Sequence, residues 1–252
     1  GGAMYRERGG SSTFARHAFN ELISFIAGWA ILIDYVIVIA AAAISVPHYL
    51  TPVWGEFAGG QEELVVAGAV IALAAYLNVA GVTGGSRQNR LIFLALADLG
   101  LQVVVILVGA IVVLEPELLT AELDLFATPS LKDIVYAAVI ATIAYAGIEA
   151  ASDLAPDLDF EEGELSRIAT TGAVLVPLLY AGMAAVALMA VPVVPGPNGP
   201  ETALAGEFVE APVLGVVQSF EPAWLADVMQ WAVVLVAVPV LVWAANTSML
   251  GI

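Results

Sequence analysis

The chain has no cysteine, and its single lysine is Lys132. Without thiols it forms no disulfides and no thiolate metal sites, and the lack of cysteine says nothing else about compartment. Charged residues are equally sparse: 12% of the 252 residues, against about 25% in a typical soluble domain. Seven basic residues stand against 24 acids, for a net charge of −17. No nucleic-acid partner is expected of so acidic a chain. Also absent are amphipathic stripes with one charged face, the mark of a globular all-α core. The two histidines have no metal-ligand spacing.

What the chain has is apolar length. Hydrophobic residues make up 61% and the mean hydropathy is +0.94, which points to an all-α polytopic membrane protein rather than a soluble domain. The acidity has two readings. Acidic loops could simply keep the water-facing rims soluble. Alternatively, dense carboxylates hold hydration in a high-salt habitat where salt screens their repulsion, and a halophilic prokaryote is the expectation adopted. The opening GGAMYRERGG has no initiating Met and no apolar core, so it does not read as a signal peptide. The chain also stops within its last apolar run, at Met249-Leu250-Gly251-Ile252, and is expected to be a fragment of a longer protein.

A helix needs about 20 mostly apolar residues to cross a bilayer. Six stretches qualify, at 20–46, 64–83, 91–114, 131–154, 168–192 and 224–250. Proline, glycine and charge gather in the linkers between them. Arg6, Arg8 and Arg16 precede the first span, Arg87 and Arg90 follow the second, and Arg167 follows the fourth; only Lys132 lies on the other side. The positive-inside rule then makes the Arg-bearing side cytoplasmic. The 192–223 connection becomes a long extracellular loop, a lid or a spacer. Within it GEFVEAPVLGVVQSF is expected to form a short amphipathic surface helix. The expected location is the plasma membrane, multi-pass.

The segment ATIAYAGIEAASDLAPDL (141–158) puts Gly147 and the ionisable Glu149 near the middle of an apolar span. A carboxylate at that depth is costly unless paired, protonated or facing water, and marks a candidate functional site. Small residues beside it let a helix open where protein or a cavity meets the freed backbone, or simply pack against a neighbouring helix.

Four motifs, in order, are similar to those of amino acid permeases of the amino acid–polyamine–organocation superfamily. The opening has Met4, Gly9, Gly10, Phe14, Arg16 or His17, Ala18 and Phe19, then Gly28-Trp29 and Asp34-Tyr35, with Tyr5 where a proline is usual and Asn20 where a glycine is usual. The others are Leu77-Asn78-Val79-Ala80-Gly81-Val82, Ala144-Tyr145-Ala146-Gly147-Ile148-Glu149-Ala150, and Ala245-Asn246-Thr247-Ser248-Met249-Leu250-Gly251-Ile252. The resemblance covers essentially the whole chain. It implies a five-plus-five inverted repeat whose discontinuous helices meet a midplane ligand, with family helices two (its tail) to eight present and helix one missing.

It further implies amino acid transport by alternating access, coupled to H+ or Na+ or working by exchange. No other cofactor, no catalytic residue and no enzymatic role are expected. Ile143, Ala144, Tyr145, Ala146, Gly147 and Ile148 become the expected unwound, substrate-binding segment. Glu149, at the start of the following half-helix, is pulled toward its charged form by the helix dipole and away from it by burial, which makes it a coupling candidate. Asp34 and Asp98 are the other intramembrane acids, read as coupling groups or structural partners. At Asp98 some relatives carry a sodium-mimicking lysine, and that departure leaves the coupling ion open. Thr247 and Ser248 are weak sodium candidates, with backbone bonding the commoner role at a helix end. The rival readings are polyamine or cation–chloride transport within the superfamily, and a non-transporting membrane sensor or structural protein. The chain lacking helix one is expected not to transport by itself; substrate uptake by it alone in proteoliposomes would be the contrary result.

Overall fold

A backbone in hydrocarbon has no solvent to bond with, so each apolar stretch must satisfy its N–H and C=O groups internally, as a helix. The computed structural model describes residues 10–80, 85–119, 129–143, 164–196 and 199–251. They form α1 (Gly10–Ala18), α2 (Glu21–Tyr49), α3 (Gly60–Val79), α4 (Gly85–Val112), α5 (Leu131–Ile143), α6 (Glu164–Ala190), α7 (Pro212–Gln218) and α8 (Ala223–Gly251). Among the described residues, five helices are long and apolar enough to cross a membrane: Glu21–Tyr49, Gly60–Val79, Ile92–Val112, Thr170–Ala190 and Ala223–Gly251. The architecture is therefore all-α and polytopic, as composition required. A small antiparallel pairing of β1 (Val194–Gly196) with β2 (Gly199–Glu201) interrupts it in the long connection. The fourth expected span, 131–154, is described only through α5; its remainder lies outside the described residues.

The chain divides into two compact units, with boundaries inside α2 and α6: Gly1–Asp34 with Asp124–Gly172, and Tyr35–Leu123 with Ala173–Ile252. In the first, the Ser24 hydroxyl donates to the Ser12 carbonyl at 2.8 Å, tying α2 to α1. Asn20 caps α2, its Oδ1 accepting from the Ile23 N–H at 3.0 Å, and so satisfies one of the orphan donors at the helix start. Ser130 and Asp133 cap α5 reciprocally: the Asp133 N–H donates to Ser130 Oγ at 3.3 Å while Asp133 Oδ2 accepts from the Ser130 N–H at 3.1 Å. This is a capping box with Asp in place of the usual Glu.

In the second unit small residues set the spacing between helices. Ala42 and Ala43 of α2, Ala67 and Ala74 of α3, and Ala245 of α8 are all buried and bring these three helices into apolar clusters. Where lipid is as apolar as leucine, such close approach is what binds one helix to another. At α4 and α6 the small residues are glycines. A Cβ on Gly109 would run into the Val186 side chain and come within 3.2 Å of Phe220 Cζ, while one on Gly182 would lie 3.1 Å from Ile106.

The connection after α6 is part of this core. The expected helix in 206–220 is present as α7, but it is not a surface helix: Leu214, Gly215, Val216 and Val217 are buried. PVLGVVQ is apolar nearly all the way round, so it has no polar face to present to water. Pro212 starts it, its missing N–H costing nothing there. Phe220, 2% exposed, then inserts beside Gly109 and Val186. Outward, α2 and α4 expose Phe25, Ile37, Phe93 and Ile111, a surface suited to lipid.

Gly109→Leu should lower thermal stability in detergent by about 1–3 kcal/mol through overpacking, because neither Val186 nor Phe220 has space to retreat. Gly100→Leu, where a Cβ meets nothing within 4 Å, should be near neutral. Equal unfolding temperatures for the two variants would refute the tight crossing.

Candidate functional site

Among the described residues the acids expected inside the membrane are Asp34 and Asp98. Asp34 is half-buried on α2, at the end of the first unit. Asp98 has a richer setting in the second. One turn of helix brings Gln102 above it, and Gln102 Nε2 donates to Asp98 Oδ2 at 2.7 Å. The pair faces a cavity of about 290 Å³, just below the roughly 300–1,000 Å³ typical of ligand sites.

Four spanning helices and the buried connection line that cavity. Tyr180 and Met183 of α6, Val233 and Ala237 of α8, and Leu101 of α4 make its walls, with Tyr49 of α2 and Val213 of α7 completing it. The Tyr49 side chain and Val213, at the start of α7, line the same end of the chain's second unit. The lining is mostly aliphatic, with one carboxylate, one amide and two phenols converging on it. No Lys, Arg or His forms an ion pair with Asp98 among the described residues.

A second polar feature joins α3 to α8. Asn78 Nδ2 donates to the Ala74 carbonyl at 3.0 Å, to the Asn246 carbonyl at 3.1 Å and to Asn246 Oδ1 at 2.9 Å. Asn246 is 1% exposed. Turning either amide over would set oxygen against oxygen or nitrogen against nitrogen, so the contacts themselves fix the orientation. Asn78 Oδ1 and Asn246 Nδ2 are left buried without a partner among the described residues.

The remaining expected residues fall as follows. Thr247 is exposed, and its hydroxyl bonds the Trp243 and Ala244 carbonyls of its own helix at 3.1 and 3.0 Å. Ser248, next to it, is buried. Ile143 ends α5; its side chain, with Ala144, Tyr145, Ala146, Gly147, Ile148 and Glu149, lies outside the described residues. Of the sequence-derived candidates among the described residues, Asp98 lines the cavity described above. Gln102, Tyr49 and Tyr180 escaped the sequence reading, as did the pairing of Asn78 with Asn246. The available signal was a polar or phenolic residue inside an apolar span, which Asn78, Gln102, Tyr180 and Asn246 are; Tyr49 lies just past the 20–46 stretch.

The amide pair should act as a clamp. In a double-mutant cycle, Asn78→Ala and Asn246→Ala are expected to show a coupling of about 1 kcal/mol in detergent unfolding, the range of interhelical hydrogen bonds in membranes. Strictly additive losses would show that the two amides do not support one another.

With this geometry in hand, comparison with known proteins adds one positive finding. The sequence pattern of a family described as amino acid permease matches residues 2–252. No curated protein and no solved structure matches the chain.

Proposed function

Because the chain belongs to the amino acid permease family, and so to a class of membrane proteins that carry amino acids across the bilayer, we propose that it works by alternating access with proton coupling. The observation that carries this reading is the family match across residues 2–252. It takes in every spanning helix and the 141–158 segment together.

In this reading Ile143 to Ile148 open as the break in a discontinuous helix. The freed carbonyls hold the ammonium of an amino acid, and the N–H groups at the start of the next half-helix hold its carboxylate. Ala144, Ala146 and Gly147 carry too little side chain to keep a ligand from the backbone. Tyr145 offers a ring wall or a hydroxyl.

Glu149 is the proposed proton carrier. It stands where a helix dipole favours its anion and a low dielectric favours its acid, so a modest change of surroundings between the outward- and inward-open states moves its proton. Asp34 and Asp98 are secondary candidates for the same role. Sodium coupling is the second reading: the Thr247 hydroxyl donates its proton to carbonyls of its own helix, which leaves its oxygen lone pairs for an ion, and Ser248 is the other hydroxyl candidate.

Uptake of radiolabelled amino acids by the full-length protein in proteoliposomes, under an imposed pH gradient, tests both levels. Uptake should depend on the gradient, and Glu149→Gln should flatten its pH dependence while thermal unfolding stays as in the wild type. A pH profile unchanged in Glu149→Gln removes that residue from coupling, and absence of uptake for every amino acid tried counts against transport itself.

A further inference from the structure

Where α2 ends and α3 begins, His48 Nε2 stands 3.5 Å from Glu63 Oε1. Spacing along the chain gives no sign of this pair; folding creates it. His48 lies in the last turn of α2 and Glu63 in the first turn of α3. Both turns are held independently of these two side chains. Val46, Pro47 and Tyr49 are buried beside His48, and Val46 packs with Ala67 and Val70 of α3. The Thr51 hydroxyl donates to the His48 carbonyl at 2.9 Å. Gly59 and Gly60, at φ of 119° and 72°, supply the left-handed backbone that leads the chain back into α3.

The separation decides what the pair is suited to. An N–H···O hydrogen bond is best at about 2.7–3.2 Å, so the direct contact is a long one. Zinc holds an imidazole nitrogen at about 2.0–2.1 Å and a carboxylate oxygen at about 2.0–2.2 Å, in tetrahedral geometry, which sets the two donor atoms about 3.3–3.5 Å apart. The pair is already spaced to share one such ion. Octahedral Mg2+ would need its ligands about 2.8–3.0 Å apart, and it prefers oxygen throughout. The two side chains are 23% and 25% exposed, so water reaches the position between them. Among the described residues no group of three or more His, Cys, Asp or Glu could hold a metal, and water therefore completes the shell.

We propose that His48 and Glu63 are the two protein ligands of a site for a borderline divalent metal ion of the Zn2+ type, which clasps the end of α2 to the start of α3 with water in its remaining positions.

The test is titration of the full-length protein, in lipid nanodiscs and free of any polyhistidine tag, with Zn2+ by calorimetry and with Co2+ by visible absorption. Zn2+ should bind saturably and raise the unfolding temperature, and Mg2+ should not compete. Co2+ should give the intense bands of four-coordinate cobalt and lose them when Zn2+ is added. His48→Ala and Glu63→Gln should each weaken Zn2+ at least about tenfold, since even the outer partners of a metal ligand are worth that much. Glu63→Gln decides the matter if His48→Ala does not fold. Glu62→Gln removes the same charge one residue away and should bind Zn2+ as the wild type does. The proposal is overturned if Zn2+ finds no saturable site, if it binds His48→Ala and Glu63→Gln as tightly as the wild type, or if Glu62→Gln weakens it as much as Glu63→Gln, which would make local charge the cause. Because none of these measurements reads uptake, failure here leaves the transport reading untouched, and failed uptake leaves this site untouched.

Discussion

Inside a bilayer a peptide group has no water to turn to, and most of this structure follows from that single deprivation. It forces the apolar stretches into helices, since only a helix satisfies its own backbone. It also removes the ordinary hydrophobic drive between those helices, because lipid welcomes their side chains as readily as another helix would. What remains is close contact. The alanines at the α2–α3–α8 junction and the glycines where α4 meets α6 are thus structural in the strongest sense, since larger residues would hold the helices apart.

The same deprivation singles out polar side chains. Asn78 spreads its two N–H bonds over three acceptors on α3 and α8, and Gln102 reaches down to Asp98. Each arrangement satisfies part of the polar capacity and leaves part over. At Asn78 and Asn246 the remainder is one acceptor and one donor amide; at Asp98 it is a carboxyl group with one hydrogen bond beside a mostly aliphatic cavity. Completed polar groups hold a membrane helix bundle together, and incomplete ones are where ligands and protons are accommodated.

The spanning helices were legible in the sequence because hydropathy is a property of consecutive residues, and a run of apolar side chains declares itself wherever its neighbours fold. Asp98 was legible for the same reason, as a charge in an uncharged run. Its surroundings were not. Tyr49, Gln102 and Tyr180 reach one cavity from three different helices, and Asn78 finds its partner 168 residues away, a separation over which periodicity carries no information. Gly109 was visible as a glycine, but Val186 and Phe220, which occupy the space its side chain would need, could be named only once α6 and the connection after it were in place. The burial of α7 was misjudged because a short segment between spans is expected to meet water, and its nearly uniform apolar character should have weighed more than its location. The residues of the substrate segment rest on motif likeness, the geometry of Ala144 to Glu149 lying outside the described residues.

The buried connection also bears on how the chain's topology would be mapped. Labels that cannot cross a membrane assign a segment to one side by reacting with it, and they assign whatever fails to react to the bilayer. The cysteine-free sequence is well suited to that approach, since each reporter can be introduced singly into a silent background. Around Leu214, Val217 and Phe220, however, a reporter would be shielded by neighbouring helices rather than by lipid. Accessibility alone would count α7 as a piece of membrane span, although its seven residues are too few to cross.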